Sequence, residues 1–320
     1  MKRALICGIG GQDGGYLAKL LLGKGYEVYG TSRDIHIMSG RGLQVLGIAG
    51  KVKLQSMAIN DFRSVLAALA ETKPDEVYNL AGQSSVGLSF DQPVETMESM
   101  TSGTLNLLEA IRFLNPGIRF YNASSSECFG DTGALPADES TAFRPRSPYA
   151  VAKAAAFWLV ANYRDAYKLH ASSGILFNHE SPMRPERFVT RKIVAAACRI
   201  AQGANEVLTL GDISIERDWG WAPDYVEAMW LMTQQPAGGD FVVATGRTVP
   251  LAYFVERVFA QLGLDWKVHV SSDPRLYRPS EIRASHANPT RIHTVLGWHH
   301  RFEIEDVVRE MVQHQTEIMK

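Results

Sequence analysis

Tyr149 and Lys153 stand four residues apart in the run R-S-P-Y-A-V-A-K-A-A-A-F-W-L-V-A, which turns helical after the proline. Residues at i and i+4 share a helix face. The ammonium can therefore lie beside the phenol, favour its ionised form and lower its pKa. A phenol tuned in this way is a useful base near neutral pH. Upstream, N-A-S-S-S-E-C-F-G supplies the Ser125 hydroxyl, suited to bonding a substrate hydroxyl, and the Glu127 carboxylate. A hydroxyl, an activatable phenol and a carboxylate are the groups needed to oxidise an alcohol and then remove a proton beside the new carbonyl. A Tyr–Lys pair alone would equally fit a chance pairing on a helix surface. The segments before it decide between the two.

Those segments open with an apolar strand over residues 3–7, followed at once by Gly8-Ile9-Gly10-Gly11-Gln12-Asp13-Gly14. A helix to about residue 23 and a strand over 26–30 come next. Glycines at 8, 11 and 14 between strand and helix are the context in which a Gly-rich turn holds a dinucleotide. They permit a tight turn and a close approach of the pyrophosphate, and the helix N-terminus, from Gln12 and Asp13 onward, favours the phosphates. The second strand leads to Thr31-Ser32-Arg33-Asp34. An Arg there suits the extra phosphate of NADP and an acid suits the ribose hydroxyls of NAD. Arg33, with Arg41 beyond it, points to NADP, while Asp34 keeps NAD open. Strands over 52–54, 77–80, 119–123 and 171–177 alternate with helices over 61–72, 96–114 and 149–167. The fourth strand ends at Leu80-Ala81, beside the cofactor, and leads to Ser84 and Ser85, beside the sugar; the fifth delivers Ser125 and Glu127. The expected fold is α/β: a Rossmann-like doubly wound parallel sheet with a smaller mixed α/β C-terminal substrate domain. The dinucleotide part covers 1–177, with segments returning from about 207–245, and 178–320 is mainly the substrate part. In the latter, 178–182 reads as a loop, 190–202, 225–233 and 251–262 as helices, and 207–210 and 241–244 as short strands.

Composition sets limits. A chain of 320 residues, 46% apolar and 21% charged, carries a formal net charge of −1. That balance gives no electrostatic case for nucleic acid or an anionic membrane. No apolar run is long enough to span a bilayer. Three scattered cysteines, Cys7, Cys128 and Cys198, form no disulfide framework and fit a reducing cytoplasm. The nine histidines show no metal-ligand spacing, so no catalytic metal is expected.

Taken together, the motifs resemble the extended short-chain dehydrogenase/reductase family and, within it, the GDP-mannose 4,6-dehydratases. G-Q-D-G at 11–14, S-S-S-E at 124–127, R-S-P-Y at 146–149, G-I-L-F-N-H-E-S-P at 174–182, F-V-T-R-K at 188–192, R-D-W-G at 217–220 and R-P-S-E at 278–281 carry the likeness. The resemblance implies that Tyr149 and Lys153 manage the proton of the sugar C4 hydroxyl while resting against the cofactor. It implies that Ser125 orients the sugar and that Glu127 removes the C5 proton and helps water leave from C6. It further implies that Asn178, Lys192, Arg217, Arg278 and Glu281 hold the GDP moiety, that Arg184 lies near the sugar, and that the chain assembles as a homodimer or homotetramer.

Several positions depart from the family pattern. Asp34 stands where a second Arg is usual, and the loop from 34 to 40 is shorter and more apolar. Ala58 replaces an acid expected beside adenine, and Met183 and Pro185 flank Arg184. A GDP-mannoheptose therefore stands beside GDP-mannose as candidate substrate. A sugar-nucleotide 4-epimerase or 4-reductase is the enzymatic alternative, and a non-catalytic dinucleotide-binding scaffold the alternative from another class.

Overall fold

Strands that are apolar on both faces are stable only between two layers of helices, and β1 (Arg3–Cys7), fully apolar after its first residue, sets that arrangement. The computed structural model describes residues 1–38 and 40–319, so Ser39 of the loop after the second strand lies outside the described residues. After β1 come α1 (Gln12–Gly23), β2 (Glu27–Ser32), α2 (Arg41–Val45), β3 (Lys53–Ser56), α3 (Phe62–Thr72), β4 (Glu76–Asn79), α4 (Val86–Asp91), α5 (Pro93–Met97), a π turn (Glu98–Ser102), α6 (Gly103–Leu114), β5 (Arg119–Ser125), a 3-10 turn (Ser126–Phe129), α7 (Pro148–Tyr167) and β6 (Ala171–Leu176). The remainder carries β7 (Asn178–Glu180), α8 (Val189–Ala201), β8 (Leu208–Leu210), β9 (Glu216–Trp221), α9 (Ala222–Gln234), β10 (Asp240–Val243), β11 (Thr248–Pro250), α10 (Leu251–Gln261), α11 (Trp266–His269), β12 (Val270–Ser272), α12 (Thr290–Leu296) and α13 (Ile304–Ile318).

Seven strands form one sheet in the order β3-β2-β1-β4-β5-β6-β10, and every pairing in it is parallel. Alternation along β1 sends Ala4 and Ile6 to a core shared with Leu17, Leu21, Tyr225 and Met229 of α1 and α9. Leu5 and Cys7 enter the opposite core with Val65, Leu69, Leu107, Leu108 and Val160 of α3, α6 and α7. The strand order reverses between β1 and β4. Open parallel sheets bind ligands in that crevice, outside the carboxyl ends of the strands. A third core joins α8, α10 and α13 through Ile193, Phe254, Val258, Val307 and Met311. Beside it lie two small sheets, β11-β9-β7 and β12-β8. The fold is therefore α/β and Rossmann-like with a smaller mixed part. Of residues 207–245, α9 and β10 return to the large sheet, whereas β8 and β9 belong to the small ones.

Two local expectations are corrected. The helix expected over 96–114 begins at Pro93, and a π turn interrupts it. Ser and Thr hydroxyls compete for carbonyls there: Ser99 Oγ donates to Glu95 O at 2.7 Å and Thr104 Oγ1 to Met100 O at 2.6 Å. Residues 178–180, expected in a loop, form β7, parallel to β9 with Asn178 opposite Trp219. A polar strand of only three residues has no legible alternation; Glu180 is buried because Thr190 Oγ1 donates to its carboxylate at 2.6 Å.

The turn that carries Glu127 closes at Gly130, whose φ is +70°. A Cβ there would lie 2.3 Å from the Arg144 carbonyl oxygen, which is backbone and cannot swing aside. Gly130→Ala is therefore expected to destabilise the protein by about 1 kcal/mol or more. Urea unfolding reads this as a lower midpoint, and an unchanged midpoint would contradict the assigned strain.

Candidate active site

The turn after β1 makes a cradle of bare backbone. Gly8 has φ +89°, and a Cβ on it would stand 2.8 Å from Leu80 O and 2.9 Å from Ala81 N at the end of β4. A Cβ on Gly14 would meet Gly8 O at 2.5 Å. Gly11 caps α1 with no side-chain hydrogen bond, so the N–H groups of the first helical turn are left to an outside acceptor. The pyrophosphate of a dinucleotide fits this cradle. Gln12 and Asp13 direct their side chains elsewhere. Gln12 Nε2 donates to the His179 carbonyl at 3.2 Å, Ser181 Oγ donates to Gln12 Oε1 at 2.7 Å, and His179 Nε2 lies 2.9 Å from Asp13 Oδ2. Burial works against both charges of the latter pair. Their mutual attraction outweighs it, holding Asp13 below the usual carboxylate range and raising His179. The sequence reading of the site did not include His179. Its place between Asn178 and Glu180 in the resembling run was the available signal.

At the far end of the crevice Arg33 is 73% exposed and pairs with Glu95 at 2.6 Å. Asp34 Oδ1 accepts the His36 N–H at 2.8 Å, an Asx turn rather than a free acid. Arg41 is exposed at the start of α2. Ser85 caps α4 by accepting from Leu88 N at 3.3 Å, and Ser84 is exposed beside it. Met183 packs against α1 and α2: its Cε would lie 3.1 Å from a Cβ on Gly15 and 2.6 Å from one on Gly42.

The candidate catalytic groups gather where β5 meets α7. Ser147 caps α7 through the Ala150 N–H at 3.1 Å, and Pro148 opens the helix. That fixes Tyr149 in the first turn and Lys153 one turn on. Lys153 Nζ donates to the Ala123 carbonyl at 2.7 Å and lies 5.9 Å from the centre of the Tyr149 ring. Ser125 ends β5, and its Oγ accepts the Glu127 N–H at 3.3 Å. The expected lowering of the phenol pKa is corrected for the protein alone. Burial pushes Tyr149 up; the Ser125 hydroxyl works against that, and the Glu127 charge adds to it. Lys153, also buried, is lowered to about 8. Both shifts have one cause, the cost of charge away from water.

Facing Glu127 is a cluster from the second half of the chain. Arg278 Nη1 stands 4.0 Å from Glu127 Oε1 and 3.7 Å from Glu281 Oε1, which also accepts from Arg217 Nη2 at 3.2 Å. Arg217 lies on β9 with its side chain 5% exposed. Burial raises Glu127, while Arg278 and then Arg217 oppose the rise. Arg184 lies 3.1 Å from Glu180, an ion pair at i,i+4 spacing that was readable in the sequence, and its Nη1 donates to the His179 carbonyl. Asn178 is half-buried on β7. Lys192 is exposed on α8 and donates to the Thr209 carbonyl at 2.7 Å. The structure thus brings Ser125, Glu127, Tyr149, Lys153, Arg217, Arg278 and Glu281 together. It leaves Arg33, Arg41 and Lys192 on the surface. Among the described residues no group of three or more His, Cys, Asp or Glu could hold a metal ion.

Residues 5–311 match the family model described as GDP-mannose 4,6 dehydratase. The chain is 43% identical to GDP-mannose 4,6-dehydratase of Sinorhizobium fredii, over all of this chain and 98% of that protein. It is 45% identical to GDP-mannose 4,6 dehydratase 1 of Arabidopsis thaliana, over all of this chain and 91% of that one. The human GDP-mannose 4,6 dehydratase is 42% identical, over 99% and 92%. Among solved structures, a Thermus thermophilus UDP-glucose 4-epimerase in complex with NAD superposes with a TM-score of 0.85 at 26% identity, covering 98% of each chain. A dTDP-glucose 4,6-dehydratase from Bacillus anthracis in complex with NAD superposes at 0.87 with 19% identity, covering 99% of this chain and 97% of that one, a likeness of fold alone. The identity with full-length relatives and the match of the family model over nearly the whole chain place it in the GDP-mannose 4,6-dehydratase family.

Proposed function

We propose that the chain is a hydro-lyase that converts GDP-mannose to its 4-keto-6-deoxy derivative, with NADP held in the crevice between β1 and β4. The observation that carries this reading is a half-buried carboxylate, Glu127, set beside the Tyr149–Lys153 pair and faced by two guanidinium groups. The cofactor would lie along Gly8, Gly11 and Gly14, with Leu80 and Ala81 beside it and the Tyr149–Lys153 pair at its far end. When bound, its nicotinamide stores one hydride, taken from C4 of the sugar and given back at C6.

The residues of the chain then divide the proton work. Ser125 bonds the C4 hydroxyl and Tyr149 takes its proton. Because burial alone disfavours a phenolate, that transfer depends on the Lys153 ammonium one turn away and on the Ser125 hydroxyl. A C4 ketone acidifies the C5–H. Glu127 removes that proton and passes it to the departing C6 hydroxyl, which leaves as water, and the proton held by Tyr149 goes to C5 when C6 is reduced, so one carboxyl serves as base and then acid. Its raised proton affinity suits the second task. Arg217, Arg278 and Lys192 supply positive charge for the diphosphate, Glu281 bonds the ribose hydroxyls, Asn178, Ser84 and Ser85 add polar contacts, and Arg184 borders the sugar. Residues 1–177, with segments returning from about 207–245, would form the dinucleotide part, and 178–320 mainly the sugar-nucleotide part. The outer faces of α6 and α7 expose Leu105, Phe113, Val151 and Trp158, which we read as a homo-oligomer surface. No described helix is long and apolar enough to cross a membrane, and we place the protein in the cytoplasm.

NADP is preferred because the Arg33–Glu95 pair is surface-exposed. Such pairs contribute little, so the guanidinium can turn to a phosphate at small cost, whereas Asp34 is already committed to its turn. Arg33→Ala is expected to raise the KM for NADP at least tenfold and leave that for NAD almost unchanged; equal effects on both would favour NAD. Mass spectrometry of the product from GDP-mannose should show loss of water. If GDP-mannoheptose alone is dehydrated, the sugar assignment moves to it, and if neither is, the hydro-lyase reading fails. Glu127→Gln should lose dehydration by a factor of about a thousand or more, while some hydride transfer to the cofactor survives as near-UV absorbance. Dehydration at the wild-type rate in that variant would remove Glu127 from the mechanism and favour the 4-epimerase or 4-reductase alternative.

A further inference from the structure

Arg278 does not hold Glu127 as a committed ion pair would. Charge-assisted hydrogen bonds between guanidinium and carboxylate run at about 2.7–2.9 Å. Arg278 stands 4.0 Å from Glu127 and 3.7 Å from Glu281, loosely shared between two carboxylates. Its side chain is 37% exposed, and it follows the 3-10 turn Pro274–Leu276 on a stretch without helix or strand. Arg217 differs: it is buried on β9, donates to Glu281 at 3.2 Å and is anchored to the Glu216 carbonyl at 2.9 Å. Arg217 is held by two hydrogen bonds, whereas among the described residues Arg278 makes none. The other charged or titratable groups that bear on Glu127 are Glu281 from the same loop, Tyr149 from α7 and Cys128 next to it. None of these is a cation, so Arg278 and Arg217 are the positive charges that oppose protonation of Glu127.

We infer that Arg278 is a mobile counter-ion: it screens Glu127 in the protein alone, and the diphosphate of an arriving sugar nucleotide draws it off, uncovering the carboxylate that is to act as base. This rests on the reading of the preceding subsection, that the arginine cluster receives a nucleoside diphosphate. A phosphate oxygen within hydrogen-bond distance displaces two contacts that are longer than hydrogen bonds. Once Arg278 has turned, Glu127 keeps only Arg217 as a nearby cation and gains affinity for a proton. Nucleotide binding thereby prepares the base, and the sugar reaches a carboxylate whose approach is no longer occupied by a guanidinium. Arg278 is a positioning residue in this scheme, acting on the reaction through Glu127.

The test is calorimetric titration of cofactor-saturated enzyme with GDP, at mildly acidic pH, in two buffers of different ionisation enthalpy. The wild type should take up a fraction of a proton per GDP bound. Glu127→Gln should bind GDP with no uptake. Arg278→Met, whose Glu127 has already lost its mobile partner, should take up less than half as much as the wild type, and Arg278→Lys should restore part of it. In the wild type the acidic limb of kcat, which reports the complex, should lie at higher pH than that of kcat/KM, which reports the free enzyme. In Arg278→Met the two limbs should coincide. Uptake that persists in Glu127→Gln, or is undiminished in Arg278→Met, overturns the inference, because another group or the phosphate field alone would then be responsible. GDP binding without uptake overturns it and leaves the proposed function standing. Failure of GDP to bind removes both.

Discussion

The hydrogen bond from the Lys153 ammonium to the Ala123 carbonyl, 2.7 Å long, ties α7 to the end of β5, and the geometry of the site depends on it. Tyr149 sits one helical turn before that anchor. Ser125 and Glu127 lie two and four residues after the accepting carbonyl. One bond therefore fixes phenol, hydroxyl and carboxylate relative to each other across two elements far apart in sequence. Beneath it, Asn79 on β4 donates to Asn122 on β5 at 3.0 Å and to Thr104 of α6 at 3.1 Å. This buried network ties the ends of the two strands and α6 together through side-chain hydrogen bonds, although Asn122 Nδ2 has no partner in it.

The second constraint is the cost of charge. The crevice buries Asp13, Glu180, Glu127, Arg217 and Lys153 at the ends of strands where water is scarce. Each is matched by an opposite charge or a directed dipole: Asp13 by His179, Glu180 by Arg184 and Thr190, Arg217 by Glu281, Lys153 by a carbonyl. Glu127 is matched least well. Its nearest cation is 4.0 Å away, and its backbone N–H, not its carboxylate, bonds Ser125. Burial of an under-compensated carboxylate raises its proton affinity, and Glu127 is the group to which the proposed reaction assigns a proton.

Much of this was legible beforehand because local rules and global fold agree. The glycines at 8 and 14 were readable from spacing, and the structure gives each a backbone atom inside 3 Å of a missing Cβ. Asp61, at the start of the helix expected over 61–72, caps α3 by accepting from Arg63 N and Ser64 N. Other features follow from contacts that no window of sequence contains. β7 exists because β9 lies beside it. The upward shift of Tyr149 reflects burial beneath residues remote in sequence, while a spacing rule sees only Lys153. Helix α13 is a different case. Val307, Val308, Met311 and Val312 have helical periodicity, and all are buried. The signal was present there and went unread.

The fold does not choose the reaction. Chains that are one-fifth to one-quarter identical superpose over nearly the full length, and their names span epimerases and dehydratases. What a Rossmann-like sheet supplies is a crevice, a helix N-terminus and a rigid edge from which a Tyr–Lys pair can act on an alcohol. Oxidation at C4 followed by return of the hydride to C4 needs nothing more. To divert the hydride to C6, the site must remove the C5 proton before the hydride returns. It must also protonate the leaving hydroxyl without admitting bulk water. On the proposed reading, a carboxylate on a 3-10 turn directly after β5, half-buried and loosely partnered, would meet both demands from one position. On the proposed function, the step from reversible oxidation to dehydration lies in the proton affinity of Glu127, which burial raises and which Arg278 and Arg217, reaching it from the other half of the chain, oppose.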